Sequence, residues 1–348
     1  MSAASEFSVT RTPVQLLLWR YRLLFGIVSA HLLSGIGLTF FVETALVTDA
    51  WPTILSVLQK LAIFFAINLI IWRLVYGIIW ERPKQPTKWL IADIRRILTT
   101  PEEILEGIIV FALLAVMIVT FISIKGAIPA LIPFSWDPAF AALDRALHGG
   151  VDPWRLLMPV FGNPYMTTLL NGFYNLWFFL IYAMVFLAAM DRRDPRRSMI
   201  FLVAFALTWI VGGNLVAVLL SSAGPVYYEA MGFGQTFAPQ MQQLQAFDAV
   251  SPVWALPLQD ALLTMYQQNA AIQGISAMPS MHVGVSVLLA LYGFAYSRVL
   301  GWVLSVFALF IMIGSVHLAW HYAVDGYLAA VLTLGCWWAA RKLVDRFA

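Results

Sequence analysis

Apolar residues run along this chain in long blocks separated by shorter polar or Pro- and Gly-rich stretches. Each block has the length that a helix needs to cross a bilayer. They fall at roughly 23–47 (with Trp51-Pro52 as a break), 61–80, 104–124, 168–190, 199–221, 279–298, 299–316 and 322–341. The pattern predicts an all-α polytopic membrane protein with about eight transmembrane helices. Residues 81–100 are basic and contain Pro, and 89–98 read as a short helix on the membrane surface. Two sections, 125–165 and 222–279, are too irregular to span, because unpaired backbone cannot face lipid. They are expected as loops and interfacial helices. Gly212-Gly213-Asn214 marks a soft point in the fifth block. The expected division is a two-helix membrane addition over 1–100 and a six-helix core over 101–348.

Composition narrows the class. The chain has 348 residues, 61% hydrophobic and 11% charged, with a mean hydropathy of +0.82, which excludes a soluble domain. The net charge of +3 needs no nucleic acid to explain it. Arg11, Arg20, Arg22, the 82–96 and 192–197 groups, Arg298, Arg341, Lys342 and Arg346 fall on one side of the predicted membrane. Lys60, Lys125, Arg145 and Arg155 fall opposite. The positive-inside rule then places the termini in the cytoplasm and 222–279, His282 and His321 on the periplasmic or lumenal side. Lys125, Arg145 and Arg155 read as outer-face anchors of interfacial segments. The single cysteine, Cys336, permits no intrachain disulfide and reads as an inert buried thiol. Residues 1–12 are polar and the first apolar run is too long for a signal peptide, so it is expected to stay attached.

The chemistry gathers at the C-terminal end. His317, His321 and Asp325 lie four and four apart in an apolar stretch. On one helix they would share a face, so Asp325 could orient His321 and leave its other nitrogen for a substrate. Pro279 precedes His282 in Ala277-Met-Pro-Ser-Met-His-Val-Gly284. A Pro there predicts a helix start, whose free N–H groups and positive dipole end suit a phosphate. Two histidines and a carboxylate at one membrane face supply a nucleophile, an orienter and an acid for phosphoryl transfer. The residues alone leave alternatives: a structural His–Asp pair, a zinc ion held by His317, His321 and Asp325, or an interfacial His282. His31 and His148 carry no such signal. Tyr227, Tyr228 and Glu229 suit either a hydroxyl-rich headgroup or the interfacial aromatic belt.

Pro279-Ser280-Met281-His282 followed by His321-Tyr-Ala-Val-Asp325 resembles the motif pair of the type 2 phosphatidic acid phosphatase (PAP2) superfamily. The resemblance covers the last third of the chain closely and a six-helix core loosely. It implies that His321 is the phosphorylated nucleophile, that Asp325 fixes its tautomer, and that His282 protonates the leaving group, with no metal or other cofactor. Where the phosphatases carry Lys-x6-Arg-Pro, this chain has Ala217, Gly224 and Pro225, and where they carry Ser-Arg it has Gly314 and Ser315. Gly-Pro-x-Tyr and His-Tyr-x-x-Asp look more like the inositol phosphorylceramide and sphingomyelin synthase branch. One of Lys125, Arg145 and Arg155 could stand in for the missing phosphate cations. The substrate-binding residues implied are Ser280, Met281, Gly224, Pro225, Tyr227, Tyr228, Ser315 and His317. The expected function is transfer of a phosphoryl or phospho-headgroup from a membrane phospholipid to a lipid or water acceptor. A lipid phosphate or diphosphate phosphatase is one alternative. A proton-coupled transporter is another, although it would need ionisable groups through the whole membrane depth.

Overall fold

The computed structural model describes residues 13–44, 50–191, 193–270 and 273–347; the polar 1–12 segment and 45–47 of the first apolar block lie outside them. The regular elements among the described residues are all helices, with no strand. In order the helices are α1 Pro13–Arg20, α2 Arg22–Leu38, α3 Ala50–Tyr76, α4 Pro86–Leu98, α5 Pro101–Leu131, α6 Asp137–Leu147, α7 Pro153–Phe161 and α8 Pro164–Met190. Then come α9 Pro195–Leu207, α10 Ala238–Asp248, α11 Ala255–Gln267, α12 Met281–Tyr296, α13 Arg298–His317 and α14 Ala323–Phe347. Helix α9 runs on as a π-helix, Thr208–Val216, and closes with Ala217–Leu219.

Among the described residues, five helices are long and apolar enough to cross a membrane: Leu105–Leu131 in α5, α8, Pro195–Leu219, α13 and α14. Three shorter apolar helices, α2, Ala66–Tyr76 and α12, make up the rest of the expected set. Boundaries differ from the hydropathy pattern where Pro and Gly mislead. Trp51-Pro52 is no break but the first turn of α3, where a missing proline N–H costs nothing. The third block does not stop at Ile124; α5 continues through Gly126 and Pro129 to Leu131. The expected surface helix is α4, whose Asp93 pairs with Arg73 of α3 and Arg96 of its own last turn.

Helix α9 is the centre of the bundle. Every residue from Ser198 to Ala206 is buried, as in a helix apolar on all sides. Helices α8, α12 and α14 pack around it, and α12 turns into α13 through Ser297, whose hydroxyl accepts the Leu300 N–H at 3.1 Å. The hairpin closes on two glycines: a Cβ on Gly293 would lie 3.1 Å from the Gly301 Cα, a close approach that small residues permit. The first helices are joined to this core. Arg20 pairs with Glu106 at 2.8 Å. His31, which carries no catalytic signal in the sequence, is buried with its Nε2 2.8 Å from Asn214 Oδ1.

The two ends of the bundle have opposite character. At one, Arg197 pairs with Asp191 and donates to the Ala295 carbonyl, and Arg196 reaches Asp345. At the other lie the 132–163 and 220–280 sections and the α13–α14 corner. If the His31–Asn214 bond ties α2 to the core, His31→Leu should lower stability by about 1 kcal/mol, the scale of an interhelical hydrogen bond in a membrane. Reversible unfolding in detergent, compared with wild type, checks this.

Candidate active site

His317, His321 and Asp325 do not share one helix as their spacing suggested. Helix α13 ends at His317, Ala319 takes a left-handed conformation (φ +61°), and α14 begins at Ala323. His321 sits in the corner between them, its N–H donating to the Ser315 carbonyl at 3.1 Å. The pairing with Asp325 forms by a different route. Asp325 is the third residue of α14, and its Oδ2 reaches back to the Tyr322 N–H at 3.0 Å. That is the reach of a capping-box acid, and it places the same oxygen 3.3 Å from His321 Nδ1. With Asp325 accepting from Nδ1–H, the lone pair sits on Nε2, and the Ala277 backbone carbonyl also lies within hydrogen-bonding reach of the ring.

The corner is held from outside its own sequence. The Asp144 carboxylate of α6 accepts the N–H groups of Ala323 and Val324 at 2.7 and 2.9 Å, so a distant carboxylate caps α14. The last carbonyls of α13 are met as well: Gln240 Nε2 donates to Val316 and His317, Gln259 Nε2 to Leu318, and the Val226 N–H to Ala319. Asp137, at the start of α6, accepts from the Ala223 and Gly224 N–H groups and the Tyr322 hydroxyl. Burial raises the pKa of Asp137 and Asp144, and these N–H donors pull it back.

His282 enters from α12. Ser280 caps that helix, its hydroxyl accepting from Val283, and the Ser280 N–H donates to the Asp325 carbonyl at 3.1 Å. This bond ties the starts of α12 and α14 together. The His282 ring is clamped between Tyr174 and Trp177 of α8, with centroids 4.2 and 4.1 Å away. Trp177 Nε1 donates to the His282 carbonyl at 3.0 Å. The His282 and His321 ring centroids stand 6.4 Å apart. Burial, and then the nearby Lys125 ammonium, lower the His321 pKa to about 3. The ring is therefore neutral, as a nucleophile requires.

Both histidines open onto a cavity of about 280 Å³. Its wall is largely aromatic, with Phe121, Tyr174, Trp177, Phe178, Trp209, Tyr227, Trp254 and Trp320. Phe178, Trp254 and Leu258 on this wall are exposed at the bundle surface. Among the sequence-identified residues, Met281 and Tyr227 line the cavity. Ser280, Gly224, Pro225, Tyr228, Ser315 and His317 do not. Ser280 and Gly224 shape the backbone, Pro225 and Tyr228 are buried behind it, and Ser315 accepts from His321 through its carbonyl. His317 turns its Nε2 to Thr167 Oγ1 at 2.9 Å, so it does not join a zinc site with His321. No cluster of three or more His, Cys, Asp or Glu suited to a metal occurs among the described residues.

Lys125 is corrected as well. It is not beyond the membrane face but inside α5, and it lines the cavity. Arg145 and Arg155 instead pair with Asp152. Sequence reading also missed Asp137, Asp144, Gln240, Gln259, Tyr174 and Trp177. The two acids stood seven apart in a stretch read as interfacial, the one signal that they share a face.

A family model described as PAP2 superfamily matches residues 138–339. No curated protein and no solved structure matches the chain.

Asp144→Ala should leave two N–H groups of the α14 cap unpaired. A loss of about 1–3 kcal/mol is expected, read as a lower melting temperature in detergent. Asp144→Asn keeps one acceptor oxygen and should recover part of the loss.

Proposed function

The chain belongs to the PAP2 superfamily, and on that premise we propose that it is a membrane lipid phosphotransferase working through a phosphohistidine. It moves a phosphoryl or phospho-headgroup from a phospholipid to a hydroxyl acceptor, as in the inositol phosphorylceramide and sphingomyelin synthase branch. The observation that carries this reading is the pairing of His321 with Asp325, facing His282 across one cavity. Superfamily membership supports phosphatase or phosphotransferase chemistry on lipid phosphates.

The reaction runs in two displacements. His321 Nε2 attacks phosphorus as the bond to the leaving oxygen breaks, and protonated His282 gives that oxygen its proton. Asp325 stabilises the positive charge that develops on the His321 ring. Neutral His282 then removes the proton from the acceptor hydroxyl, whose oxygen attacks phosphorus and releases His321. The proton returns to His282 and the cycle closes.

Two features favour a lipid phosphodiester as the donor. Phe178, Trp254 and Leu258 line the cavity and are also exposed, which suits an acyl-bearing molecule. The arginines that would meet a doubly charged phosphate monoester are replaced by Gly224 and Ser315, whereas a diester carries one negative charge. The arginines near Asp191 and Asp345 support placing the opposite, catalytic end on the periplasmic or lumenal face.

A panel of phospholipids labelled at phosphorus, given to purified protein with and without hydroxyl-bearing lipid acceptors, tests the reading. The expected result is acceptor-dependent transfer of label, with an acid-labile label trapped on His321 and absent in His321→Ala. Asp325→Asn should lower kcat with the labelled residue unchanged. Normal turnover by His321→Ala rejects the mechanism, and better turnover of phosphatidic acid than of any diester makes the enzyme a phosphatase.

A further inference from the structure

We propose that Lys125 is the cation that holds the transferring phosphate, supplied from α5 in place of the arginines at the motif positions. The proposal deepens the phosphotransfer reading of this cavity and rests on it.

Lys125 is the sole charged residue, histidines aside, that lines the cavity among the described residues. No carboxylate pairs with it and no hydrogen-bond acceptor meets it among those residues. Its described side-chain contact is with the Phe121 ring, 5.9 Å from Nζ. It also lies six residues before the end of α5, about 9 Å of helix rise inside that end. An ammonium at such a depth without a counter-charge is costly and is kept where a ligand supplies the charge. His321 lines the same cavity, and the ammonium disfavours protonation of that ring.

The backbone explains why the charge is not at Gly224. That residue has φ +99°, and a Cβ there would lie 2.8 Å from the Trp320 carbonyl oxygen. Its N–H is already committed to Asp137 at 2.7 Å. Ser315 is fully buried, with its hydroxyl donating to the Met312 carbonyl at 2.8 Å. Ala217, at the other family cation position, lines the cavity but carries no charge. A long, flexible side chain on the neighbouring α5 delivers one positive charge to the same space. The N–H groups of Met281 and His282, in the unpaired first turn of α12, add donors for the equatorial oxygens.

One cation, two imidazoles and a helix end match a singly charged phosphodiester. As a compact point charge, a lysine also tolerates the movement of phosphorus between leaving oxygen, His321 and acceptor.

Kinetics on the labelled phospholipid that the wild type turns over test the assignment. Lys125→Met should raise KM by about tenfold or more, with a smaller fall in kcat, and Lys125→Arg should recover most of the loss. A Lys125→Met KM within about twofold of wild type overturns the proposal. A second measurement needs no variant. Acetic anhydride labelling of Lys125 in wild-type protein, followed by mass spectrometry, should slow by about fivefold when dimethyl phosphate, a soluble singly charged phosphodiester, saturates the site. An unchanged labelling rate overturns the proposal even if Lys125→Met fails to fold. Protection by dimethyl phosphate in a wild type that never forms phosphohistidine supports the cation site and rejects the phosphotransfer reading, so the two failures are distinct.

Discussion

A helix that ends inside a protein leaves four carbonyls, or four N–H groups, without partners, and the candidate site is built on two such ends facing one another. Helix α13 stops at His317 and α14 starts at Ala323, and His321 lies in the gap. Water meets such groups at an exposed corner. Here they are buried beside a membrane-embedded bundle, where an orphan polar group is expensive. Gln240, Gln259 and Val226 meet the carbonyls, while Asp144 and Asp325 meet the N–H groups. The requirement to satisfy these groups fixes the path of the corner, and with it the direction of the His321 ring. The sections 132–163 and 220–270 therefore act as scaffolding for two helix ends.

Asp325 serves both demands with one oxygen. As an N-terminal acid it caps α14 and sits at the positive end of the helix dipole. The same Oδ2 faces His321 Nδ1. A glutamate would overshoot and an asparagine would lose the charge, so the residue type follows from helix geometry as much as from proton transfer. His282 is fixed by different means. Its ring makes no hydrogen bond to protein among the described residues; the faces of Tyr174 and Trp177 set its plane. Stacked rings orient an imidazole without occupying its nitrogens, and an acid that must give and recover a proton needs those nitrogens free.

The apolar blocks of the sequence carry the membrane helices because hydropathy is summed over many residues and tolerates local error. Where a single residue decides, the reading went astray. Gly126 and Pro129 resembled a helix end after Ile124, yet α5 runs past both, and Lys125 was placed in water instead of the cavity. The spacing of His317, His321 and Asp325 resembled one helical face, but Ala319 at φ +61° breaks the helix between the histidines. Asp137, Asp144, Gln240 and Gln259 were illegible for another reason: their partners lie from 59 to 185 residues away. No periodicity reports such a bond. The Pro-Ser-x-His and His-x-x-x-Asp boxes were legible because each packs a helix start and its chemical group into a few positions.

The π-helical segment Thr208–Val216 acts as a rotational offset within α9. One extra residue in a helix turns everything beyond it by about 100° relative to an unbroken α-helix. The earlier half of α9 can thus be enclosed on all sides, while Gly213 and Ala217 further along still form part of the cavity wall. A deletion of one amino acid in this stretch would leave an equally greasy, equally long membrane anchor whose far half faced another neighbour. Such a lesion would be silent to every measure of insertion, yet the vessel for the substrate would have lost a side.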